Sequence, residues 1–488
     1  MLADQAALTL DTICRDALHS GMNVQYAGSN TARGTIAATD KLTAAEKAEL
    51  MSIKDDDTEK RLRFSNYLSF GTAGLRGTMK TGMNAMNTPT VAYATQALAA
   101  LIIREGRAQD GVVVAHDCRI NSRLFAETAA SVLAANHIPV YMFDELRPTP
   151  ELSFALRELH CVAGINITAS HNPKQYNGYK AYWDDGAQLP PEHADVVAGV
   201  MASLDIFADV KTMDFGIALS TGKVKLLGRD MDELYLREVE KQAVNPAAVR
   251  EVADKLKIVY SPLHGTGYRL VPEILRRIGL KMLYTVPEQM VIDGSFPTVE
   301  KPNPEYRQAF DLGIRIADEV GSDLVIATDP DADRMGIAVK DDKGKYILLN
   351  GNQTASILTY YILTRWDELG KLTGNEYIVK TIVTTNLLFE IADTFNVKKF
   401  DVLTGFKFIA DKILNKPDMK YICGGEESYG FLVGDFVRDK DAVIACFMIA
   451  EATAWAADQG KTLYQLLKEI YQKHGLYKEK LISITRKG

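Results

Sequence analysis

Leu-Val-Ile-Ala-Thr-Asp-Pro-Asp-Ala-Asp-Arg, residues 324–334, is the most informative stretch of this chain. Its apolar start predicts a buried strand, and a polar loop with three carboxylates follows at once. In parallel α/β sheets, the loops at the carboxyl ends of the strands bind ligands. The stretch therefore predicts an α/β protein with a functional site at the end of this strand.

Short apolar runs alternate with amphipathic runs on both sides of this stretch. The predicted strands are 112–115, 140–143, 164–169, 258–260, 282–286, 323–328, 377–384, 400–403 and 421–423. The predicted helices between them are 124–136, 151–159, 270–278, 305–320, 387–395 and 408–414. This order is typical of βαβ units. The units fall into three blocks, each with one strand ending in a polar loop, which favours three α/β domains around a shared cleft.

The two ends of the chain and the segments between blocks are less regular. Residues 42–67 are predicted to form one charged helix, with 54–63 on a solvated face. Near the C-terminus, 463–473 predicts a helix and 481–485 a strand. The predicted boundaries between blocks are the polar or glycine-containing segments 211–222 and 340–344.

The composition is that of an ordinary globular protein. The chain has 488 residues, 47% hydrophobic and 24% charged, and this length suggests about three domains. A formal net charge of −7 offers no bulk attraction to nucleic acid or anionic lipid. Five scattered cysteines without a CxxC pair indicate reduced thiols in a cytoplasm. Residues 1–20 lack a signal-peptide pattern, and the longest apolar run, 442–450, is too short to span a bilayer.

Asp329, Asp331 and Asp333 are candidate ligands of a metal ion. On an extended chain alternate residues point to one side, so these three carboxylates would converge. They repel one another unless a cation lies between them, and oxygen ligands favour a hard ion such as Mg²⁺. An EF-hand is excluded, because its sixth and twelfth positions hold Arg334 and Lys340 instead of Gly and Glu. The alternative is a solvated acidic turn.

Thr-Ala-Ser-His-Asn-Pro, residues 168–173, places Ser170 and His171 in a polar loop. A Ser-His-Asp hydrolase is not favoured, because neighbouring side chains on an extended chain diverge and the loop lacks Gly-x-Ser-x-Gly. A simple turn is the alternative, since Ser and Asn both bond their own backbone. The loop by itself does not distinguish a turn from a nucleophile.

Residues 70–78, Phe-Gly-Thr-Ala-Gly-Leu-Arg-Gly-Thr, form a glycine-rich loop with one cation, Arg76. The loop matches neither Walker A nor GxGxxG. Glycines allow close approach of an anion, and arginine gives phosphate a two-pronged contact. A flexible loop with a surface arginine is an equally good interpretation.

Gly-Gly-Glu-Glu-Ser-Tyr-Gly, residues 424–430, places Glu426 and Ser428 between glycines after a predicted strand. A carboxylate and a hydroxyl suit the vicinal hydroxyls of a sugar. Lys180 and Lys440 lie near these loops in sequence and suit phosphate binding or, with a lowered pKa, proton transfer. A solvated surface position is the alternative for either lysine.

Together these loops resemble those of the α-D-phosphohexomutase superfamily, the phosphoglucomutases and phosphomannomutases. The match runs from about residue 70 to residue 440 in the family's order of motifs. The resemblance implies three consecutive mixed-sheet α/β domains of the phosphohexomutase type and a truncated fourth. They are domain I with an N-terminal helical extension and the phosphoserine loop (1–212), domain II with the metal loop (213–340), domain III with the sugar loop (341–475) and the start of domain IV (476–488).

The resemblance also implies the roles of individual residues. Ser170 is the phosphoserine, and with Asp329, Asp331 and Asp333 it holds one Mg²⁺ per chain. The other implied catalytic groups, which serve acid–base transfer and phosphate orientation, are Arg76, Lys180 and His171. The implied substrate-binding residues are Thr404, Gly405, Glu426, Ser428, Lys440 and Arg334.

The implied reaction is reversible transfer of a phosphoryl group between the 1- and 6-positions of glucose phosphate. Glucose 1,6-bisphosphate is the intermediate and the expected activator. The sequence at 424–430 favours glucose over mannose, whereas the long segment before Phe70 resembles phosphopentomutase-like members. A phosphatase or a catalytically weak sugar-phosphate-binding relative is the competing interpretation. We expect small sugar phosphates as partners, neither nucleic acid nor membrane, and a monomer or dimer.

One departure from the family concerns the C-terminus. Members carry a C-terminal Ser-Gly-Thr-Glu-Pro-like loop that grips the remote phosphate, and no such loop follows Lys440 in this sequence. Without that contact, the chain is expected to be a poor mutase that leaks phosphate to water. It is still expected to bind Mg²⁺ and to carry a phosphorylatable Ser170.

Overall fold

The structure is a computed structural model that describes residues 43–71 and 74–479. The predicted strand at 481–485 lies outside the described residues. The chain divides into two compact units. The first unit consists of Met1–Leu146, Leu156–Asp184 and Gln188–Leu227, and the second of Arg147–Ala155, Asp185–Ala187 and Gly228–Gly488.

The first unit contains a mixed sheet with strand order β1-β5-β4-β2-β3-β6. Its helices and strands are α1 (Ala44–Ser52), α2 (Asp57–Phe64), β1 (Leu75–Thr78), α3 (Thr88–Arg104), β2 (Val112–His116), α4 (Ser122–Ala135), β3 (Val140–Phe143), α5 (Thr149–Glu158, of which the residues up to Ala155 belong to the second unit), β4 (Ala163–Ile167), β5 (Tyr176–Trp183), α6 (Pro191–Ser203), α7 (Phe215–Ser220) and β6 (Val224–Leu227). Every residue of β2 and of β4 is buried, as expected for central strands with both faces covered.

The second unit contains two further sheets, with strand orders β11-β10-β9-β7-β8 and β13-β12-β14-β15. The part of the chain that forms the first of these sheets contains α8 (Arg229–Lys241), α9 (Pro246–Val252), β7 (Lys257–Ser261), α10 (Gly267–Arg277), β8 (Met282–Thr285), α11 (Pro287–Met290), α12 (Asp311–Val320), β9 (Leu324–Thr328), β10 (Met335–Lys340) and β11 (Tyr346–Leu349). The part of the chain that forms the second of these sheets contains α13 (Gly351–Glu368), β12 (Glu376–Thr381), α14 (Leu387–Thr394), β13 (Lys398–Val402), α15 (Phe406–Leu414), β14 (Lys420–Gly425), β15 (Phe431–Val433), α16 (Ala442–Asp458) and α17 (Leu463–His474).

The prediction of three α/β domains with mixed sheets is confirmed. In each sheet the strand before a polar loop also pairs with an antiparallel neighbour: β4 with β5, β9 with β10, and β14 with β15. These returning strands are not among the strands predicted from the sequence. They give each sheet its antiparallel part and fix both ends of the polar loop between the two strands.

The predicted single helix at 42–67 is wrong, because the described part of this segment contains two helices. Asp56 begins the second of them by accepting hydrogen bonds from the backbone N–H groups of Thr58 and Glu59, both at 3.0 Å. The predicted solvated face is also wrong at Arg63, which is buried and bonds Glu59 Oε2 at 2.8 Å. The predicted helix at 305–320 likewise divides, into a 3₁₀ turn (Arg307–Phe310) and α12.

Helix α16 is apolar on all sides, and nearly all of it is buried in the second unit. Asp441 begins it, accepting bonds from the N–H groups of Val443 at 2.8 Å and Ile444 at 3.0 Å. The Tyr235 hydroxyl of α8 donates to the same carboxylate at 2.8 Å. Among the described residues, no helix is long and apolar enough to cross a membrane.

Burial of Asp441 makes the stability of the protein depend on pH. Burial raises the pKa of this carboxyl from 3.8 to about 7, although its hydrogen bonds oppose the change. Between these values the folded state keeps a proton that the unfolded state has lost, so stability falls as pH rises through this window. Relative to Asp441→Asn, we expect the natural chain to lose up to about 1.4 kcal/mol per pH unit. Urea denaturation of both proteins at pH 5, 6, 7 and 8 measures this difference, and parallel curves would contradict it.

Candidate functional site

The carboxylates of Asp329, Asp331 and Asp333 form one cluster at the carboxyl end of β9. Oxygen atoms from the three side chains lie within 4.8 Å of one another. The side chains are 0%, 0% and 1% exposed. The strand before this loop, β9, is an inner strand between β7 and β10.

The loop that carries this cluster is a tight turn, not the extended chain that the sequence analysis assumed. Ala332 has a positive φ of 51°, and its N–H donates to Asp329 O at 2.9 Å. The N–H groups of Asp333 and Arg334 both donate to Asp329 Oδ1, at 3.1 and 3.0 Å. The carboxylates therefore converge because the backbone of the following residues folds back and bonds to the Asp329 side chain.

The electrostatics of the cluster favour a bound cation. Burial, followed by repulsion from Asp331 and Asp333, raises the pKa of Asp329 well above its ordinary value. A cation between the three carboxylates removes this repulsion. Three carboxylate oxygens are ligands that suit a hard divalent ion. The residues present thus fit a metal site.

Two neighbouring segments hold the turn in place, and the sequence analysis identified neither. The Thr149 N–H donates to Asp331 O at 2.9 Å, and its hydroxyl donates to Asp331 Oδ2 at 3.0 Å. The Thr266 N–H donates to Pro330 O at 2.8 Å. Such outer contacts fix the orientation of metal ligands. Thr149 follows β3 and Thr266 follows β7, so their positions at strand ends were the available signal.

Gly265 lets the metal loop pack directly against the β7–α10 loop. A Cβ atom there would lie 2.4 Å from Pro330 Cα, which is too close for backbone atoms. We expect Gly265→Ala to displace the loop, destabilise the protein by about 1–3 kcal/mol and weaken divalent-metal binding about tenfold. Calorimetric titration with Mn²⁺ and thermal denaturation measure the two effects. In the control Gly199→Ala, the new Cβ meets nothing within 4 Å; equal metal affinity in both variants would contradict the expectation.

Two cations lie beside the cluster. Lys440 Nζ is 2.9 Å from Asp333 Oδ2 and 3.2 Å from Asp439 Oδ1. Burial alone would lower the pKa of Lys440, but the carboxylates of Asp333 and Asp439 outweigh it, so the net pKa is raised and the ammonium stays charged. Arg334 Nη1 bonds Glu305 Oε1 at 3.0 Å, and its Nε lies 3.7 Å from Asp333 Oδ1.

The predicted sugar-binding residues are placed at two strand ends of the third sheet. Glu426 directly follows β14, and its Oε1 accepts a bond from the Gly405 N–H at 3.0 Å. Burial raises the pKa of Glu426, while Lys440 and Arg334 act in the opposite direction. Thr404 is exposed and Ser428 half-buried. The structure thus brings Glu426 into the electrostatic field of the two cations near the aspartate cluster.

Ser170 lies in the first unit, in the loop between β4 and β5. Its φ is +50°, and its Oγ lies 3.1 Å from His171 Nδ1. The expectation that neighbouring Ser and His side chains diverge is therefore wrong here, since it holds only for extended backbone. The Ser170 N–H donates to Thr168 Oγ1 at 2.8 Å.

Arg76 and Lys180 lie on the two strands next to this loop. Arg76 on β1 pairs with Gly178 on β5, and its Nη1 donates to Asn172 Oδ1 at 3.3 Å. Lys180 on β5 pairs with Asn166 on β4 and is buried. Arg76 therefore contacts the Ser170 loop directly, and Lys180 lies on the adjoining strand.

Arg119, which the sequence analysis did not identify, is the main support of the Ser170 loop. Its guanidinium donates to backbone carbonyls of that loop, including Pro173 O and Tyr176 O, both at 3.0 Å. Asp117-Cys-Arg119 directly follows β2, whose neighbour in the sheet is β4. Its place at the carboxyl end of a strand was the signal that could have found it.

Comparison with known families gives three matches along the chain. Residues 67–205 match the phosphoglucomutase/phosphomannomutase α/β/α domain I, residues 233–344 match domain II, and residues 350–474 match domain III of the same description. The three matches follow one another in the order of the three sheets.

Individual relatives agree with these matches. The chain is 36% identical to a phosphoglucomutase of Staphylococcus aureus (strain N315) over 463 residues, which cover 93% of this chain and 82% of that protein. It superposes on a phosphoglucomutase/phosphomannomutase family protein from Burkholderia thailandensis with a TM-score of 0.62 at 20% identity, covering 81% of this chain and 78% of the other. It superposes on the Paramecium phosphoprotein pp63/parafusin, a phosphoglucomutase, with a TM-score of 0.68 at 19% identity, covering 84% and 75%. The two structural likenesses, at such identities, concern the fold.

Proposed function

Because this chain belongs to the phosphoglucomutase/phosphomannomutase family of the α-D-phosphohexomutase superfamily, it is a phosphosugar mutase, and we propose that glucose phosphate is its substrate. It is thus an isomerase of carbohydrate metabolism. The observation that carries the proposal of glucose is the 36% identity with a phosphoglucomutase over 93% of the chain. The Glu-Glu-Ser sequence at 426–428 supports it, since it resembles the form found in phosphoglucomutases.

Ser170 carries the phosphoryl group in the proposed cycle. A hydroxyl oxygen of the sugar monophosphate attacks phosphorus, the bond from phosphorus to Ser170 Oγ breaks, and the hydroxyl proton passes to a base. The resulting bisphosphate reorients, and its other phosphoryl group returns to Ser170. No water is consumed, so the net reaction is an isomerisation. The contact between Ser170 Oγ and His171 Nδ1 supports a role for His171 in this proton transfer.

Arg76 and Lys180 are proposed to orient the transferred phosphoryl group and to serve as acid or base. The contact of Arg76 with Asn172 supports its role, because it ties the guanidinium to the loop that carries Ser170. Lys180 is buried on β5, where a partly desolvated ammonium suits either task. Phosphoryl transfer depends mainly on such alignment and charge stabilisation.

Asp329, Asp331 and Asp333, with the phosphoryl oxygen of Ser170, are proposed to hold one Mg²⁺ per chain. Bound there, the ion neutralises charge on the transferred group. A phosphoserine adds about two negative charges, which makes a counter-charge necessary. Lys440 and Arg334 add positive charge beside the carboxylates and support binding of an anionic substrate.

The residues proposed to bind the sugar and its non-reacting phosphate are Thr404, Gly405, Glu426, Ser428, Lys440 and Arg334. The bond between Gly405 and Glu426 supports this assignment, because it holds the carboxylate between two loops of the third sheet. A carboxylate there can accept bonds from two vicinal hydroxyl groups.

A coupled assay tests the proposal. Glucose 1-phosphate with Mg²⁺ and catalytic glucose 1,6-bisphosphate should give glucose 6-phosphate. Values of kcat/KM for glucose, mannose, glucosamine and ribose 1-phosphates then rank the substrates, since specificity is a difference of transition-state affinities. A higher value for mannose or ribose phosphate would overturn the choice of glucose. Release of phosphate in place of glucose 6-phosphate would indicate a phosphatase.

Several expectations remain predictions. These are activation by glucose 1,6-bisphosphate, a monomeric or dimeric state, a cytoplasmic location and the domain boundaries. Omitting the bisphosphate from the coupled assay tests the first, and light scattering tests the second. We expect small sugar phosphates, rather than nucleic acid or membrane, as the binding partners.

A further inference from the structure

We infer that Arg119 is a positioning residue for phosphoryl transfer, because its buried guanidinium holds the backbone of residues 170–176 in the conformation that presents Ser170 Oγ. The inference rests on the proposed role of Ser170 as the phosphoryl carrier. It concerns a residue that lies outside the four motif loops.

Arg119 binds the Ser170 loop through four backbone carbonyls. Its Nη1 donates to Pro173 O and Tyr176 O, both at 3.0 Å. Its Nη2 donates to the carbonyl oxygens of Ser170 and Asn172. One side chain thus fixes four carbonyls of one loop.

This pattern requires an arginine. A guanidinium presents five N–H donors in a rigid plane, so its two terminal nitrogens can each serve two acceptors. A lysine ammonium has three donors on one atom and cannot span carbonyls from residues 170 to 176. Lysine at position 119 would therefore keep the charge but release part of the loop.

The guanidinium is itself held from the β2 side. Asp117 Oδ2 lies 3.2 Å from Arg119 Nε, and Asp117 Oδ1 accepts bonds from the Arg119 N–H at 2.8 Å and Ser122 Oγ at 2.7 Å. The Asn177 amide of β5 donates to Ser122 Oγ at 3.0 Å. Asp117 thus neutralises the buried charge and orients it, as a buried arginine requires.

The conformation that Arg119 holds is strained. Ser170 has a φ of +50°, and a residue other than glycine in this region costs about 1–3 kcal/mol unless its surroundings enforce it. The carbonyl bonds from Arg119, together with the bond from the Ser170 N–H to Thr168 Oγ1, enforce it here. The same φ brings Ser170 Oγ to 3.1 Å from His171 Nδ1.

The contacts have an electrostatic consequence as well. The negative ends of four carbonyl dipoles are directed at the guanidinium. A phosphoserine brings about two negative charges to this loop, and carbonyl oxygens facing it would repel them. Arg119 therefore lowers the cost of the phosphorylated state without touching the phosphate.

Arg119 acts through the backbone and not on the substrate. Its side chain and that of Asp117 are both 0% exposed. A sugar phosphate entering from solvent therefore meets the loop before it could meet the guanidinium. Loss of Arg119 should impair the transfer step rather than substrate binding.

The test compares Arg119→Lys with the natural chain and with Arg63→Lys. Arg63 is a suitable control because it is also buried in the first unit, but it bonds the carboxylates of Glu49 and Glu59 rather than the Ser170 loop. We expect Arg119→Lys to lower kcat about 100-fold, since a misplacement of about 1 Å costs this much. KM should change less than threefold. The rate of Ser170 phosphorylation by glucose 1,6-bisphosphate, followed by intact mass, should fall in parallel with kcat.

Arg63→Lys should lose thermal stability while its kcat stays within threefold of the natural value. Asp117→Asn provides a second measurement in case Arg119→Lys does not fold: it keeps the guanidinium, removes its ionic partner and should lower kcat by a smaller factor with KM unchanged. A kcat within threefold in the Arg119 and Asp117 variants would overturn the inference. An equal fall of kcat in Arg63→Lys would also overturn it, because the effect would then be general destabilisation. If Ser170→Ala remains active, the proposed function fails, whatever the Arg119 variants show.

Discussion

Ser170→Ala is expected to abolish mutase turnover, with kcat lowered about 10³-fold or more. The reason is that the proposed cycle has no other group to accept and return the phosphoryl moiety. The fold should be little affected, because the change removes one oxygen from a loop and leaves the backbone bonds from Arg119 in place. The variant should therefore separate catalysis from stability.

Two measurements check this expectation. Steady-state kinetics with glucose 1-phosphate give the loss of kcat, and mass spectrometry of the peptide containing residue 170 gives the loss of the phosphate. Ser203→Ala is the matched control, since Ser203 is an exposed helix residue of the same unit whose hydroxyl bonds only Val200 O within its helix. Near-normal turnover in Ser170→Ala would refute the assignment of the phosphoryl carrier.

Asp331→Asn is expected to have the second-largest effect. It removes one negative charge from the buried cluster while keeping the shape of the side chain. Mg²⁺ affinity should fall about 100-fold or more, since even outer contacts of metal ligands contribute 10–100-fold, and mutase activity should fall with it. The metal-free protein should become more stable, because repulsion among three buried carboxylates is relieved.

The prediction is specific because the substitution should raise the stability of the metal-free protein and lower the stabilisation by Mg²⁺. Thermal denaturation in EDTA should show a higher midpoint for Asp331→Asn than for the natural chain, whereas saturating Mg²⁺ should stabilise the natural chain more than the variant. Asp342→Asn is the control, because Asp342 is an exposed partner of Lys468 at 2.8 Å. Unchanged Mg²⁺ affinity in Asp331→Asn would show that the cluster is not the metal site.

The sequence alone predicts the chemical groups of the site and the class of fold. Asp329, Asp331 and Asp333 could be identified as candidate metal ligands because they directly follow a buried strand and share one donor chemistry. The strand at 140–143 was predicted with its observed bounds, since a run of apolar residues between turns is a local signal. The returning strands β5, β10 and β15 were missed, because their partners come from tertiary pairing and not from local periodicity.

Predictions that depended on backbone conformation failed where the chain is not extended. The sequence predicted that the aspartates alternate along an extended segment and that the side chains of Ser170 and His171 diverge. The structure has a positive φ at Ala332 and at Ser170, which turns the first segment back on Asp329 and brings Ser170 Oγ to His171. Neither residue is a glycine, so the local sequence does not indicate a left-handed conformation.

The sequence by itself thus determined which groups are available: a serine, three carboxylates and the cations Arg76, Lys180, Arg334 and Lys440. Only the tertiary structure decided how those groups are held. Arg119 meets Ser170 across 51 residues of chain, and Thr149 meets Asp331 across 182. The Arg119 bond arises because β2 and β4 are parallel neighbours whose carboxyl ends lie at the same edge of one sheet, whereas Thr149 and Asp331 follow strands of two different sheets. Local sequence propensity cannot predict such hydrogen bonds, because a donor has the same chemistry whichever acceptor the fold brings to it.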